Sequence, residues 1–144
     1  KLVLEEIPRG VVTGNIRLAG ETILNVTNLS QFFNPEINAY ADQTTGKRTM
    51  IIKNALINAN IIGAYDENTN VFVFGDTPSD VEAAKENSCI SVAVIKNSNT
   101  PESSPNGLEY KRRKELLEAS NPDILLDDLT EIDLILAIIY AQDI

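Results

Sequence analysis

The sequence predicts an α/β fold with a mostly parallel sheet and helices on both faces. Three observations predict it. Short apolar runs alternate with longer amphipathic stretches along the chain. The run Val71 to Phe74 is continuous rather than alternating, which marks a strand covered on both faces, and Ile90 to Ile95 reads as another buried strand. Gly, Pro and Asp punctuate the ends of the runs.

Taken in order, Leu2 to Ile7 reads as the end of a helix stopped at Pro8. Gly10 to Thr13 is a short strand broken by Gly14, and Ile16 to Val26 is a helix. Phe32 and Phe33 are expected beneath the sheet, and Ile37 to Ala41 is a weak strand. Thr49 to Asn60 is a helix with Met50, Ile51, Ala55, Leu56 and Ile57 on or near one face. Val71 to Phe74 is a strand ended by Gly75-Asp76, after which Thr77 can cap a helix with Pro78 in its first turn. That helix continues over Val81 to Asn87, and Ile90 to Ile95 is a further strand. Asn97 to Asn106 is a solvent loop, Leu108 to Ala119 a helix, Ile124 to Leu126 a strand and Ile132 to Ala141 a closing helix.

The 144 residues suffice for one domain, expected to run over 1–144, with 43% hydrophobic and 23% charged residues. Twelve basic against 21 acidic residues leave a net charge of -9, which repels nucleic-acid phosphates and anionic membrane surfaces. No nucleic-acid or membrane partner is therefore expected. The absence of His excludes Ser-His-Asp and Cys-His catalysis and every His-ligated metal site. One cysteine, Cys89, permits no internal disulfide and suits a reducing, cytoplasmic setting. Chemistry must come from carboxylates, hydroxyls, Lys, Arg and backbone amides. Carboxylates without His or Cys point to a hard cation such as Mg²⁺.

Gly75-Asp76-Thr77-Pro78-Ser79-Asp80 is the strongest candidate. It sets two carboxylates at the carboxyl end of a strand, where ligands bind in open α/β sheets. Thr77-x-x-Asp80 equally fits a helix-capping box, which explains Asp80 but not Asp76. In Val11-Val12-Thr13-Gly14-Asn15, Thr13 ends a strand and Gly14 and Asn15 can offer amides to an anion; an ordinary strand-to-helix turn fits as well. Lys47 and Arg48, just before a helix, can hold a phosphoryl oxygen or stand as solvated charge. The basic run Lys111 to Lys114, interleaved with Glu109, Glu115 and Glu118, reads as a solvated helix face.

Together these motifs resemble the haloacid dehalogenase-like superfamily of phosphohydrolases. Thr13 in VVTGN matches its second motif, Arg48 or Lys47 its third, and Gly75, Asp76 and Asp80 its acidic GDxxxD. The flanks GDTPSDVEAAKENSCISVAVI and NPDILLDDLTEID are similar as well, and TGN points to the phosphoglycolate-phosphatase-like branch. The resemblance implies a three-layer Rossmann-like core and Mg²⁺-dependent hydrolysis of small phosphorylated metabolites. Asp76 and Asp80 would serve the metal, and Thr13 and Arg48 the reaction. Thr13, Gly14, Asn15, Lys47 and Arg48 would serve the phosphate.

The family's nucleophile motif, DxDx(T/V), does not occur in this sequence, and neither does an inserted cap. The expectation is a fragment or truncated form that lacks the family's first strand and is inactive alone. Self-association through the central strand Val71 to Phe74, left exposed, is expected with it. The alternative is a non-catalytic module of the same fold that binds an anion or a partner. A phospho-accepting receiver domain ranks last, because Gly10 to Asn15 holds no acidic pair.

Overall fold

The computed structural model describes residues 6–95, 105, 107–130 and 132–141. Of the helix end expected over Leu2 to Ile7 only Glu6 and Ile7 fall within these residues, neither of them helical, and the loop over Asn97 to Asn106 lies almost wholly outside them. The fold is α/β, and among the described residues every strand pairing is parallel. The chain divides into two compact units, Lys1–Thr69 and Asn70–Ile144.

In the first unit, β1 (Val12–Thr13) pairs with β2 (Ala39–Tyr40), with Val12 opposite Ala39 and Thr13 opposite Tyr40. Buried Asn38 extends this short ladder, since its Oδ1 accepts the Val11 amide at 2.8 Å. Helix α1 (Arg17–Val26) turns Gly20 and Leu24 inward. A Cβ at Gly20 would stand 2.6 Å from the Tyr40 ring, so the small residue is what lets α1 lie against β2. Helix α2 (Arg48–Ile61) packs Ile51 and Ala55 on Ala39 and Val12.

The α2 face differs from expectation. Ile51, Ile52, Ala55 and Ala59 are buried, whereas Met50 and Ile57 are exposed. Ile51 and Ala55 turn inward as expected, but the stripe continues to Ile52 and Ala59 rather than to Met50 and Ile57, following the i, i+4, i+8 spacing of 51, 55 and 59. Phe32 is also exposed, because it sits in a 3-10 turn, Ser30–Phe32, that follows α1.

In the second unit the sheet order is β3 (Phe72–Gly75), β4 (Ile90–Val94), β5 (Ile124–Leu126). Alternate residues divide its two faces. Ala93, Ile95 and Leu125 pack with Val81 of α3 (Pro78–Glu86) and with Tyr110 and Leu117 of α4 (Leu108–Ala119). Val92, Leu126, Phe72 and Ile124 pack with Ile135 and Ile139 of α5 (Ile132–Ala141). Helices thus cover both faces of this sheet, and β4 is buried along four of its five residues.

β3 departs from the expectation of a strand covered on both faces. It is half-buried, with Phe74 38% exposed, because among the described residues it pairs only with β4 and forms the sheet edge. Cys89 is buried as expected of a small core residue, and desolvation pushes its thiol pKa up. Among the described residues no helix is long and apolar enough to cross a membrane.

Candidate functional site

The first unit carries Thr13, Gly14, Asn15, Lys47 and Arg48. Because β1 and β2 run parallel and in register, the loops after Thr13 and after Tyr40 leave the same carboxyl edge. Thr13 is half-buried, and its Oγ1 accepts the Asn15 amide at 3.1 Å. The Asn15 carbonyl accepts the Ala41 amide at 3.0 Å, which binds the two loops together. The Asn15 amide expected to meet an anion is thus already used by Thr13.

Asp42 has a role that sequence reading missed. Ile16, at the N-cap of α1, has no side chain able to cap. Asp42 Oδ1 accepts the Arg17 amide at 2.8 Å instead, placing a carboxylate where the helix dipole favours an anion. The Arg17 side chain turns away to pair with Glu21 at 2.7 Å.

Lys47 is the N-cap of α2 and Arg48 its first residue, with no acidic residue in the first turn. Two cations at a helix N-terminus oppose the helix dipole, so they do not serve helix stability. They differ in setting. Lys47 is exposed, and its side chain has no hydrogen bond or ion pair among the described residues; Arg48 is half-buried.

The second unit carries the acidic pair. Strand β3 ends at Gly75, Asp76 follows, and Thr77 in extended conformation caps α3 ahead of Pro78. Asp80 completes the capping box: its Oδ2 accepts from the Thr77 amide at 3.1 Å, the Thr77 hydroxyl at 2.8 Å and the Asp76 amide at 3.2 Å. The Thr77 hydroxyl oxygen in turn stands 3.3 Å from the Asp80 amide. Gly75 makes this possible, because a Cβ there would lie 2.2 Å from Asp80 Cβ. The close approach at Gly75 is made by Asp80 itself.

Asp76 is disposed differently. Its side chain is 50% exposed, and Oδ2 lies 3.3 Å from Arg113 Nη2. The same Nη2 donates to the Asp76 carbonyl at 3.0 Å, and Arg113 Nε donates to the Ile95 carbonyl at 2.6 Å. Arg113, read as part of a solvated basic face, is therefore the exception in that run: Lys111, Arg112 and Lys114 are exposed. Its signal was periodic. Tyr110, Arg113 and Leu117 fall at i, i+3 and i+7, on the stripe that α4 buries.

Two further carboxylates of this unit are structural. Tyr110 Oη donates to Asp127 Oδ1 at 2.5 Å, just past β5. That bond first, and burial second, push the Tyr110 pKa up to about 12. Asp123 Oδ2 accepts the amide and hydroxyl of buried Ser91 at 2.8 and 2.7 Å, and Ser91 Oγ accepts the Asp123 amide at 2.9 Å. The Ser91 bonds hold the Asp123 pKa below its usual value.

The structure thus joins Asp76 to Asp80, and Thr13 to Asn15, each pair within its own unit. For a hard divalent cation, Asp76 offers the right donor chemistry in a half-exposed carboxylate. Asp80 has its Oδ2 given to the capping box. Among the described residues no group of three or more His, Cys, Asp or Glu could hold a metal ion.

No protein-family model matches the chain, and no curated protein matches it. Among solved structures it is similar to the 1.7 Å crystal structure of a Clostridium difficile protein provisionally assigned as a phosphatase. The identity is 21% and the TM-score 0.66, over 88% of this chain and 51% of the other. The chain therefore spans about half the length of that neighbour, and shares its α/β fold.

Proposed function

We propose that this chain is part of a Mg²⁺-dependent phosphomonoester hydrolase of the haloacid dehalogenase-like kind, acting on small phosphorylated metabolites in the cytoplasm. The observation that carries the reading is the division of labour in Gly75-Asp76-Thr77-Pro78-Ser79-Asp80. Asp80 gives its Oδ2 to the cap, while Asp76 stands half-exposed at the carboxyl end of a parallel strand. A helix cap needs Asp80 alone, so the cap does not account for Asp76, whose half-exposed carboxylate meets only Arg113, at 3.3 Å, among the described residues.

In this reading Asp76 ligates the cation and Asp80 positions it by accepting the Asp76 amide. Bound Mg²⁺ would offset charge on a phosphoryl group. Thr13, whose Oγ1 accepts from Asn15, has its hydroxyl proton left to donate to a phosphoryl oxygen. Lys47 is the better phosphate cation, exposed and with no side-chain partner among the described residues; half-buried Arg48 supports it. Gly14 and Asn15 shape the turn, with Asp42 already in the anion position at α1.

No DxDx(T/V) nucleophile occurs in the sequence, so this chain by itself binds rather than turns over its ligand. The second reading, a non-catalytic binding module of the same fold, is favoured by that same lack and by Asp42. Self-association through the edge of β3 that pairs with no strand among the described residues belongs to either reading.

Calorimetric titration of the full chain with Mg²⁺, alone and with inorganic phosphate, tests the reading. Weak Mg²⁺ binding that phosphate strengthens and that Asp76→Asn removes is the expected result. Binding that survives Asp76→Asn would place the cation elsewhere and sink the assignment.

A further inference from the structure

We propose that Arg113 is a positioning residue for Asp76: it is the carboxylate's resident cation, and by charge competition it sets how tightly Asp76 takes a divalent one. The inference rests on the reading of Asp76 as the cation ligand.

Helix α4 reaches the carboxyl tips of all three strands of its sheet. Arg113 Nη2 bonds Asp76 after β3, Arg113 Nε bonds Ile95 after β4, and Tyr110 bonds Asp127 after β5. The Arg113 side chain is only 14% exposed, flanked on its helix stripe by buried Tyr110 and Leu117. A guanidinium so enclosed is not a solvated charge that wanders. Its Nε bond to the Ile95 carbonyl fixes the plane, and the planar fork then carries Nη2 to Asp76.

One nitrogen serves two oxygens of the same residue. Nη2 lies 3.0 Å from the Asp76 carbonyl and 3.3 Å from its Oδ2. The shorter bond holds the loop backbone, and the longer one orients the carboxylate. A divalent cation arriving at Asp76 meets a carboxylate whose charge is already shared with Arg113. It must either displace the guanidinium from Oδ2 or bind beside it against like-charge repulsion. Both weaken binding, and both disappear when the charge at 113 is removed.

The test is Mn²⁺ binding to the full chain, followed by the electron paramagnetic resonance of free Mn²⁺. The proteins are wild type, Arg113→Gln, Arg113→Lys, Arg112→Gln, Asp76→Asn and Asp76→Asn with Arg113→Gln. Gln at 113 removes the charge yet keeps a donor for Ile95. Lys keeps the charge, and Arg112→Gln makes the same net-charge change from an exposed position.

Arg113→Gln is expected to bind Mn²⁺ about fivefold more tightly, the scale of a partly screened charge pair. Arg113→Lys and Arg112→Gln should stay within about twofold of wild type, and the double variant should lose the gain. Thermal melts verify folding, and Arg113→Lys keeps the question open to decision if the Gln variant is unstable, because a large change there also refutes a charge-based role.

Asp76-dependent binding that Arg113→Gln leaves unchanged or weakens overturns the role of Arg113 alone. Wild-type binding indifferent to Asp76→Asn overturns the ligand reading, and a gain that persists in the double variant overturns both. Undetectable wild-type binding that becomes measurable and Asp76-dependent in Arg113→Gln supports competition; undetectable binding in both refutes it.

Discussion

Replacing Gly75 by Ala perturbs the acidic loop by a single methyl group. Gly75 does not have a positive φ, so no backbone strain accompanies the change. The cost is steric. The new Cβ would lie 2.2 Å from Asp80 Cβ, 2.6 Å from Cγ and 2.7 Å from Oδ2. Asp80 Cβ belongs to the first turn of α3, so relief requires the turn to move and not merely a rotamer change. Overpacking of this kind costs about 1–3 kcal/mol. Displacing Asp80 also breaks the capping box, which is worth about 1 kcal/mol. The total is about 2–4 kcal/mol, a large share of the stability of an ordinary domain.

Gly14 supplies the control. It also follows a strand, β1, but a Cβ there meets nothing within 4 Å. Urea unfolding followed by circular dichroism should therefore separate the two. Gly75→Ala should lower the midpoint by on the order of 1 M, and Gly14→Ala should leave it nearly in place. Hydrogen exchange at the Asp76 and Thr77 amides, which Asp80 Oδ2 accepts, should quicken only in the former. Equal midpoints for the two variants would refute the packing of Asp80 over Gly75, and with it the account of why a glycine precedes Asp76.

Two predictions concern pH. The Asp123 pKa is depressed on folding, chiefly by the Ser91 amide and hydroxyl, so its stabilisation is present above the ordinary carboxylate pKa and lost as pH falls through the folded value. Ser91→Ala, which removes the hydroxyl and keeps the amide, should flatten the acid limb of a pH–stability curve in part and cost about 1–2 kcal/mol at neutral pH; an unchanged limb would remove the Ser91 hydroxyl from the account. Tyr110 has its pKa raised to about 12, so its contribution is full below the ordinary tyrosine value and fades as pH rises through that range. Tyr110→Phe should cost about 1 kcal/mol and abolish this alkaline loss, measured by thermal melts across that window.

Much of the fold was legible because it is written in local pattern. Helix α4, strand β5 and helix α5 were expected at the residues where they stand, since breaks and apolar runs coincide there. The capping box was legible for the same reason: Thr77, Pro78 and Asp80 act on their own neighbours. The face of α2 was less so. Met50 and Ile57 are as apolar as Ile51 and Ile52, and only packing against Ala39 and Val12 decides which of them turn inward. β3 misled in a related way. An apolar run reports what a strand could bury, whereas its exposure depends on which strands pair with it.

The site divides along the same line. Asp76 and Asp80 look equivalent in a GDxxxD string, and their difference lies in what each touches. Asp80 closes on residues three and four positions away, a local choice that the string contains. Asp76 meets Arg113, 37 positions along the chain, and Asp42 meets the α1 amide 25 positions back. Neither partner is implied by local spacing. Even so, α4 carries a trace of the first. Three of its four consecutive basic residues are exposed, and the one that is not falls in step with Tyr110 and Leu117. A charge that keeps the period of the buried stripe must have a buried partner or leave the stripe, because an unpaired charge there is too costly. Charge runs are therefore better read residue by residue against the helix period than as blocks, and Arg113 is the residue that such a reading would have placed at the carboxyl ends of the strands, where Asp76 stands.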